Sequence, residues 1–397
     1  MSPCPPGKRP LFYALAVAAG VVAARAADTA VVPRLSESII AVGIAHQARG
    51  LTLRPEGSFS VIDQSTGEIR RLEKGREYTV RSEGGTRIVL GSHVFLGPTR
   101  LLPGKDGEFV LIGGRKYRGN ILFRPDRGGT VTAIDEVGIE EYLHGVLPKE
   151  MSPDWPLEAL MAQAIVSRTF ALNNLGKFSA SGYDLSDGTR SQLYTGLDVE
   201  SDRVRQAVRG TTGLVLTYRG RRFPVFFHSC CGGRTTDPSA VWGAPGGIRE
   251  SKPPMRGVGS RFCKDSPQYR WTAYFTEFDI LSALARHGVL ATRLTGVKDG
   301  ETDRSGRSQQ LLLKLDGRWR SISAQDFRLW LGAQEFKSTY LRSIRRRRKG
   351  FEFEGLGYGH GAGLCQWCAR AMAEQGLDHR RILSSFFPKS ELRRMED

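Results

Sequence analysis

The clearest helix pattern of the chain lies near its middle and predicts a helix with one buried face. Apolar residues recur there at the three- and four-residue spacing of a single helix face. The face comprises Leu157, Leu160, Met161, Ala164, Ile165, Arg168, Ala171 and Leu172. Ser152 and Asp154 are the N-cap candidates, and Pro156 fits only a first turn. Arg168 interrupts the apolar face and needs a partner, either a carboxylate in a cleft or a structural ion pair.

The residues before this helix, from 27 to about 135, read as short strands separated by glycine-rich turns. Ile139–Leu143 reads as one or two helical turns, and Pro148 is expected to end any helix before it. Strands resume at Leu214. Further helices are predicted at Ile280–His287 and Cys365–Gln375. The predicted strands of the first part are Ser38–Ala45, Tyr78–Val80, Thr86–Leu90, Val94–Leu96, Phe109–Ile112, Asn120–Phe123 and Thr130–Ile134.

The N-terminus has the three parts of a secretory signal peptide. Lys8 and Arg9 precede an apolar run, Leu11–Ala24, and small residues around Ala26 supply a cleavage site. The run is shorter than the roughly 20 residues that a membrane-spanning helix needs. We therefore expect residues 1–26 to be removed and the protein to be exported to the periplasm or cell wall. An uncleaved anchor is the alternative.

The charge balance points to an anionic partner. The chain has 58 Lys and Arg against 41 Asp and Glu, a formal net charge of +17. For an exported protein, cell-wall polymer or lipid head groups fit this charge better than nucleic acid does. A hydrophobic content of 40% excludes a disordered chain and a multi-span membrane protein. The densest basic run, Arg345–Lys349, is either a solvated turn between strands or an anion site.

The cysteines allow two alternatives. With Cys4 in the leader, the remaining cysteines are Cys230, Cys231, Cys263, Cys365 and Cys368. An odd number cannot all form internal disulfides, so either one thiol stays free or several bind a metal. His228 precedes one cysteine pair closely, and Cys365 and Cys368 share a helix face, as zinc ligands would. Disulfides, which an exported compartment permits, remain equally open.

Three segments are candidates for chemistry. Glu150 lies beside Pro148, Met151 and Trp155, and an apolar wall there would raise its carboxyl pKa, whereas the positive end of the following helix would lower it. A solvated capping glutamate is the alternative. The segment from His228 to Gly233 ends in a glycine pair that lets backbone approach a ligand. The third segment alternates glycines around His360, as a ligand-binding loop or a flexible turn would.

Together these segments resemble the stage II sporulation protein D (SpoIID) family of lytic transglycosylases and amidase enhancers. The likeness runs from about Lys116 to Pro388. The matching blocks are Glu140–Glu150 with Met151, Trp155-Pro156, Ala162–Ala164 and Arg168-Thr169, then His228–Thr235, then Tyr358–Gln366. Two positions depart from the family pattern. Met161 stands where relatives often have lysine, and Cys368 stands where they usually have glycine.

The resemblance implies cleavage of the bond between N-acetylmuramic acid and N-acetylglucosamine in peptidoglycan. Glu150 would be the single acid and base, forming a 1,6-anhydro product, and Arg168 would orient it or bind substrate. The implied substrate contacts are Gln163, Gln192, Tyr194, His228, Tyr358 and His360. No cofactor is required for this reaction. Because some relatives carry zinc, the candidate metal ligands are Cys231, Cys263, Cys365 and Cys368.

The expected architecture is an α+β fold. A signal peptide at 1–26 precedes a β-rich region at 27–115 and a mixed SpoIID-type domain at 116–390, with a helix behind the glutamate. The expected partners are peptidoglycan glycan strands rather than nucleic acid. The alternative function is a non-catalytic wall-binding protein that activates a partner cell-wall amidase.

Overall fold

Both strands and helices are abundant in the computed structural model, which describes residues 39–105, 107–243 and 254–395. This content confirms the predicted α+β class. The predicted signal peptide and Cys4 lie outside the described residues. Within those residues, no helix has the length and apolar character that crossing a bilayer requires.

The first part of the described chain forms strands, as the glycine-rich pattern predicts. Their side chains alternate between buried and partly buried positions, as in Phe59–Asp63. The strands are β1 (Ile39–Ala48), β2 (Leu51–Pro55), β3 (Phe59–Asp63), β4 (Ile69–Leu72), β5 (Tyr78–Glu83), β6 (Arg87–Leu90), β7 (His93–Phe95), β8 (Thr99–Pro103), β9 (Val110–Ile112), β10 (Arg115–Tyr117), β11 (Asn120–Pro125) and β12 (Val131–Gly138). The predicted hairpin at 120–134 corresponds to the antiparallel pair β11 and β12.

Helices dominate the middle of the chain. These are α1 (Ile139–Glu150), α2 (Leu157–Asn173), α3 (Asp202–Gly210) and α4 (Pro238–Trp242), with 3₁₀ turns at Ser179–Ser181 and Gly196–Val199. Between and after them run β13 (Leu185–Ser186), β14 (Leu214–Tyr218), β15 (Arg221–Arg222) and β16 (Phe227–His228). The seven-stranded sheet has the order β13-β1-β12-β11-β8-β3-β4, and the six-stranded sheet has the order β10-β9-β2-β5-β6-β7. The predicted boundary at residues 115 and 116 therefore falls inside β10, and the larger sheet contains strands from both sides of it.

A second hydrophobic core lies between residues 270 and 356. Its elements are β17 (Arg270–Thr276), α5 (Glu277–Arg286), β18 (Leu294–Asp299), β19 (Gln310–Leu315), β20 (Arg318–Ser323), α6 (Ala324–Leu331), β21 (Leu341–Arg347) and β22 (Gly350–Leu356). Aromatic rings of Trp271, Phe327, Phe336 and Phe353 fill it. The basic run ends β21 and turns into β22, and Arg345 and Arg347 pair with Glu352, so it fits the solvated-turn alternative.

The chain then returns to the first core through β23 (Leu364–Cys365), α7 (Gln366–Glu374), α8 (His379–Phe386) and β24 (Glu391–Arg394). Strand β23 pairs in parallel with β16, and β24 pairs with β14. The helix α2 contacts α1, α3, α7, α8 and β14. Neighbours on all sides explain why α2 is buried around most of its circumference rather than on the single face that its spacing predicts.

Two local predictions about the helices are wrong. Pro148 lies inside α1, which continues to Glu150, because the hydrogen bond that proline cannot donate is lost only in the last turn. The amide of Met151 still donates to the carbonyl of Leu147 at 2.9 Å. The N-cap of α2 is Pro156 rather than Ser152 or Asp154.

Candidate active site and cysteine cluster

Glu150 is the last residue of α1, and its carboxylate is partly buried. Burial raises the pKa of this carboxyl to about 7, although the amide of Leu193, which donates to its Oε1 at 3.2 Å, acts in the opposite direction. The sequence predicts competition between an apolar wall and the positive end of the following helix, and the raised pKa has the direction that the apolar wall predicts. The adjoining helix end is the negative, C-terminal end of α1, which disfavours the ionised carboxylate as burial does.

A glycine brings the Leu193 amide within reach of Glu150. A Cβ atom on Gly145 would lie 2.7 Å from the carbonyl oxygen of Gly196 and 2.7 Å from the ring of Tyr194. The absence of a side chain in the middle of α1 therefore permits close contact with the segment 194–196. This contact places Leu193 beside the end of the helix.

Buried hydrogen bonds hold the segment around Leu193 on both sides. The Tyr142 hydroxyl donates to Gln192 Oε1 at 3.3 Å, and the Tyr194 hydroxyl donates to Asp135 Oδ2 at 2.7 Å. Burial raises the pKa of Asp135 to about 7. Gln192 and Tyr194 are 1% and 2% exposed, so the structure makes them supports of the Leu193 amide rather than the sugar contacts that the resemblance implies.

The backbone at Glu150 is held by a second pair of amides. Gln366, the first residue of α7, donates through Nε2 to the carbonyl of Glu150 at 2.8 Å and to Gln163 Oε1 at 3.4 Å. Gln163 is fully buried and donates its own amide to Ser167 Oγ at 3.1 Å. The resemblance implies that Gln163 contacts the sugar, whereas in the structure it holds the side chain of Gln366.

The partner of Arg168, which the sequence left open between a carboxylate in a cleft and a structural ion pair, is Glu140. The Nε and Nη2 atoms of Arg168 donate to the two carboxylate oxygens of Glu140 at 2.8 and 2.6 Å, and Nη1 donates to the carbonyl of Leu214 at 3.0 Å. The side chain has no exposed area, so it is a structural ion partner at the start of α1. A direct substrate contact of Arg168 is not compatible with this burial.

His228 and His360 lie together, with ring centroids 5.7 Å apart. Nδ1 of His228 lies 3.0 Å from the carbonyl of Ala362, whereas its buried Nε2 has no hydrogen-bond partner in the described part of the chain. Burial lowers the pKa of both rings, that of His360 to about 3, so both are neutral at physiological pH. None of the hydrogen bonds or ring contacts among residues 39–105, 107–243 and 254–395 joins either ring to Glu150.

Tyr358 pairs through its backbone with Cys230, and its partly buried ring lies 6.0 Å from the ammonium of Lys337. The sequence predicts an apolar wall with Trp155 beside Glu150, and the structure shows that Trp367 packs against Trp155. Trp155 and Trp367 meet edge to face at 5.1 Å, and the Arg370 guanidinium covers both rings at 5.4 and 5.0 Å. Trp367 directly follows Gln366, which binds the backbone of Glu150.

Four of the five described cysteines form one buried cluster. The sulfur atoms of Cys231, Cys263, Cys365 and Cys368 all lie within 4.8 Å of one another, and all five described cysteines are free thiols. The structure therefore brings together the four residues predicted as metal ligands. Sulfur separations of 3.4 Å (Cys231–Cys263) and 3.7 Å (Cys231–Cys368) exceed the roughly 2.05 Å of a disulfide bond.

Comparison with known proteins agrees with the sequence blocks. The profile of the family described as Stage II sporulation protein, SpoIID, matches residues 127–218. An uncharacterized protein of Brachyspira hyodysenteriae is 32% identical over 277 residues, which cover 70% of this chain and 72% of that protein. Stage II sporulation protein D of Bacillus subtilis is 26% identical over 278 residues, covering 66% and 76%.

The protein named amidase enhancer in Bacillus subtilis is 28% identical over 298 residues, covering 63% of this chain and 40% of that longer protein. The profile match contains Glu150, the Glu140–Arg168 ion pair and the segment around Leu193. The resemblance read from the sequence is thereby confirmed, and the chain belongs to the stage II sporulation protein D family.

Proposed function

We propose that this protein is a lytic transglycosylase that cleaves the N-acetylmuramic acid–N-acetylglucosamine bond of peptidoglycan glycan strands. The observation that carries the proposal is Glu150, a partly buried residue whose carboxyl pKa is raised to about 7 by burial. A carboxylic acid with a pKa near neutrality can both donate and accept a proton at physiological pH. This is the dual requirement of a reaction run by one carboxyl group.

The reaction needs two proton transfers that balance. Protonated Glu150 donates its proton to the glycosidic oxygen as the bond from that oxygen to C1 of N-acetylmuramic acid breaks. The C6 hydroxyl of the same sugar then bonds to C1, and its proton passes to the Glu150 carboxylate. The products are a 1,6-anhydro end and a free N-acetylglucosamine end. Because the nucleophile belongs to the substrate, no second carboxylate is needed, unlike in ordinary glycosidases.

The surroundings of Glu150 suit a sugar polymer. Trp155 and Trp367 are only partly buried, so their rings can contribute apolar surface to a sugar ring, and the Arg370 guanidinium that lies over them adds a positive charge. The formal net charge of +17, which becomes 17 − 3 = +14 once Lys8, Arg9 and Arg25 leave with the predicted signal peptide, favours binding to the anionic cell wall.

The test uses purified sacculi incubated with the protein, followed by mass spectrometry of the released muropeptides. We expect 1,6-anhydro products from the wild type and a loss of roughly 10²–10⁴-fold in their release for Glu150→Gln. Glu141→Gln, an exposed change on the same helix, is the matched control and should keep full activity. Release of anhydro products by Glu150→Gln at the wild-type rate would exclude the proposed acid.

The relative named amidase enhancer favours a second candidate function, activation of a partner cell-wall amidase by a non-catalytic protein. The variant Glu150→Gln separates the two functions. If the wild type and the variant increase the activity of a purified cell-wall amidase equally, and neither releases anhydro product, the enhancer function stands. A stimulation that disappears in the variant supports the transglycosylase instead.

A further inference from the structure

The four clustered sulfur atoms have the spacing of a tetrahedral metal site. Zinc–sulfur bonds of about 2.3 Å at the tetrahedral angle place the sulfur atoms about 3.8 Å apart. The Cys231 sulfur lies 3.4 Å from that of Cys263 and 3.7 Å from that of Cys368. All four side chains are buried, at 1% exposure or less. A space between them is thus enclosed by four ligands of one chemical type.

The ligands come from three separate segments. Cys231 follows β16, Cys263 lies in the connection before β17, and Cys365 and Cys368 lie at the start of α7, three residues apart on one helix face. Packing of four polarisable thiols offers no advantage over an apolar cluster, whereas a metal ion would cross-link all three segments.

The surroundings supply the hydrogen bonds and the charge that thiolates need. The amide of Cys231 donates to Cys365 Sγ at 3.2 Å, that of Gly233 donates to Cys231 Sγ at 3.4 Å, and the Ser260 hydroxyl donates to Cys368 Sγ at 3.1 Å. The guanidinium of Arg307, 2% exposed, donates through Nη2 to the carbonyl of Cys231 at 2.7 Å. A zinc ion with four thiolates carries two net negative charges, which this buried cation partly offsets.

We propose that Cys231, Cys263, Cys365 and Cys368 bind one zinc ion in a closed structural site. Four thiolates in tetrahedral arrangement select zinc or iron among the common metals. With four protein ligands and no solvent-facing position, such a site holds the fold together rather than activating water. Zinc binding does not depend on the proposed glycan cleavage.

Two of the proposed zinc ligands lie close in sequence to residues of the candidate active site. Cys365 directly precedes Gln366, which holds the backbone of Glu150, and Cys231 lies three residues after His228. A metal that joins β16 to α7 therefore fixes the segment of Gln366, which contacts the candidate acid, to the segment of His228. Loss of zinc should loosen Gln366 and His228 before it affects the second core.

The first experiment measures metal in the purified protein by inductively coupled plasma mass spectrometry, together with thiol titration before and after unfolding in a zinc chelator. We expect one zinc per chain, and ligand thiols that react only after the metal is removed. Cobalt substitution should give the intense visible absorption of tetrahedral cobalt–thiolate coordination. A protein purified without metal, with five reactive thiols, overturns the proposal, as does one with iron in the site or with disulfides found by non-reducing peptide mapping.

Cys230 provides a stringent control, since it is a buried free cysteine whose side chain contacts Cys263 and Cys365 but which is not one of the four mutually close ligands. Cys230→Ala should keep one zinc per chain, and Cys368→Ala should lower the zinc content and the melting temperature. If Cys368→Ala does not fold, the cobalt spectrum of the wild type still decides the ligand type. Equal zinc content in Cys230→Ala and Cys368→Ala would show that the assigned ligand set is wrong.

Arg307→Met tests the charge compensation. We expect its zinc affinity to fall roughly 10–100-fold, as for other groups that contact metal ligands, while the stoichiometry at saturating zinc stays at one. Competition with a chromogenic chelator gives this affinity. Unchanged affinity would show that Arg307 does not compensate the charge of the site.

Discussion

The two ends of α1 carry glutamates in opposite environments, one paired with a buried arginine and the other without such a partner among the described residues. Glu140, in the first turn, receives two hydrogen bonds from the guanidinium of Arg168 and a third from the amide of Gly213. Glu150, the last residue, receives one amide hydrogen bond, and burial raises the pKa of its carboxyl to about 7. The same side chain is therefore a fixed ion partner at one end and a neutral-pH acid at the other.

This difference shows how one helix both anchors and presents a functional group. The Glu140 pair joins the start of α1 to α2 and to the turn before β14, so the helix has a fixed origin. At the end of the helix, the Leu193 amide holds the Glu150 carboxylate and the Gln366 side chain holds its backbone, and no ion pair reaches this carboxylate within the part of the chain that the structure describes. Removing the partner at one end and the charge at the other should therefore have different consequences.

The largest effect is expected from breaking the ion pair. Arg168→Met leaves the Glu140 carboxylate in a largely buried position without its cation, and we expect the free energy of unfolding to fall by roughly 3 kcal/mol. Urea unfolding followed by circular dichroism measures this loss. The double variant Glu140→Gln/Arg168→Met should lose less than the sum of the single variants. Strict additivity of the two changes would argue against a direct pair.

Glu150→Gln should change stability in a pH-dependent manner. Because the folded protein holds the proton of this carboxyl more tightly than the unfolded chain does, the wild type loses stability as pH rises from about 4.5 towards 7. Glutamine removes this loss, so the variant should be more stable than the wild type by roughly 2 kcal/mol at pH 8 and similar to it at pH 4. Thermal unfolding across this pH range checks the sign. A variant that is less stable than the wild type at pH 8 would contradict the raised pKa.

The sequence predicts the local secondary structure around the candidate site well and the long-range contacts of its side chains poorly. Local patterns locate α2 and most strands, since periodicity and glycine turns act over short stretches, whereas it is the family resemblance that singles out Glu150 as the candidate acid. The partner of Arg168 lies 28 residues away, and the Leu193 amide lies 43 residues from Glu150, so only the packed fold reveals them. Gln163, Gln192 and Tyr194 match the family blocks as polar residues, yet motif matching cannot tell a ligand contact from a buried support.

A smaller effect is expected at the support behind Leu193. Tyr194→Phe removes the hydroxyl that donates to buried Asp135 and should lower the free energy of unfolding by about 1 kcal/mol. If the Leu193 amide moves away, the pKa of Glu150 rises further, because that hydrogen bond lowers it. The alkaline limb of the pH–activity profile should then shift to higher pH. Tyr142→Phe, which loses the longer bond to Gln192, should shift it less, and an unmoved profile in both variants would limit Tyr194 to a packing role.

The smallest change in the free energy of unfolding is expected from Glu141→Gln. Glu141 is adjacent to Glu140, so this variant tests whether any negative charge at the start of α1 stabilises the helix. The Glu141 side chain is 47% exposed and pairs with Arg118, which also binds Glu200. Solvent screens this pair and Arg118 keeps its second partner, so Glu141→Gln should change the free energy of unfolding by no more than about 0.5 kcal/mol. Urea unfolding at pH 7, in parallel with Arg168→Met, makes the comparison direct. A loss as large as that of Arg168→Met would mean that negative charge near the start of α1, rather than the buried Glu140–Arg168 geometry, stabilises the helix.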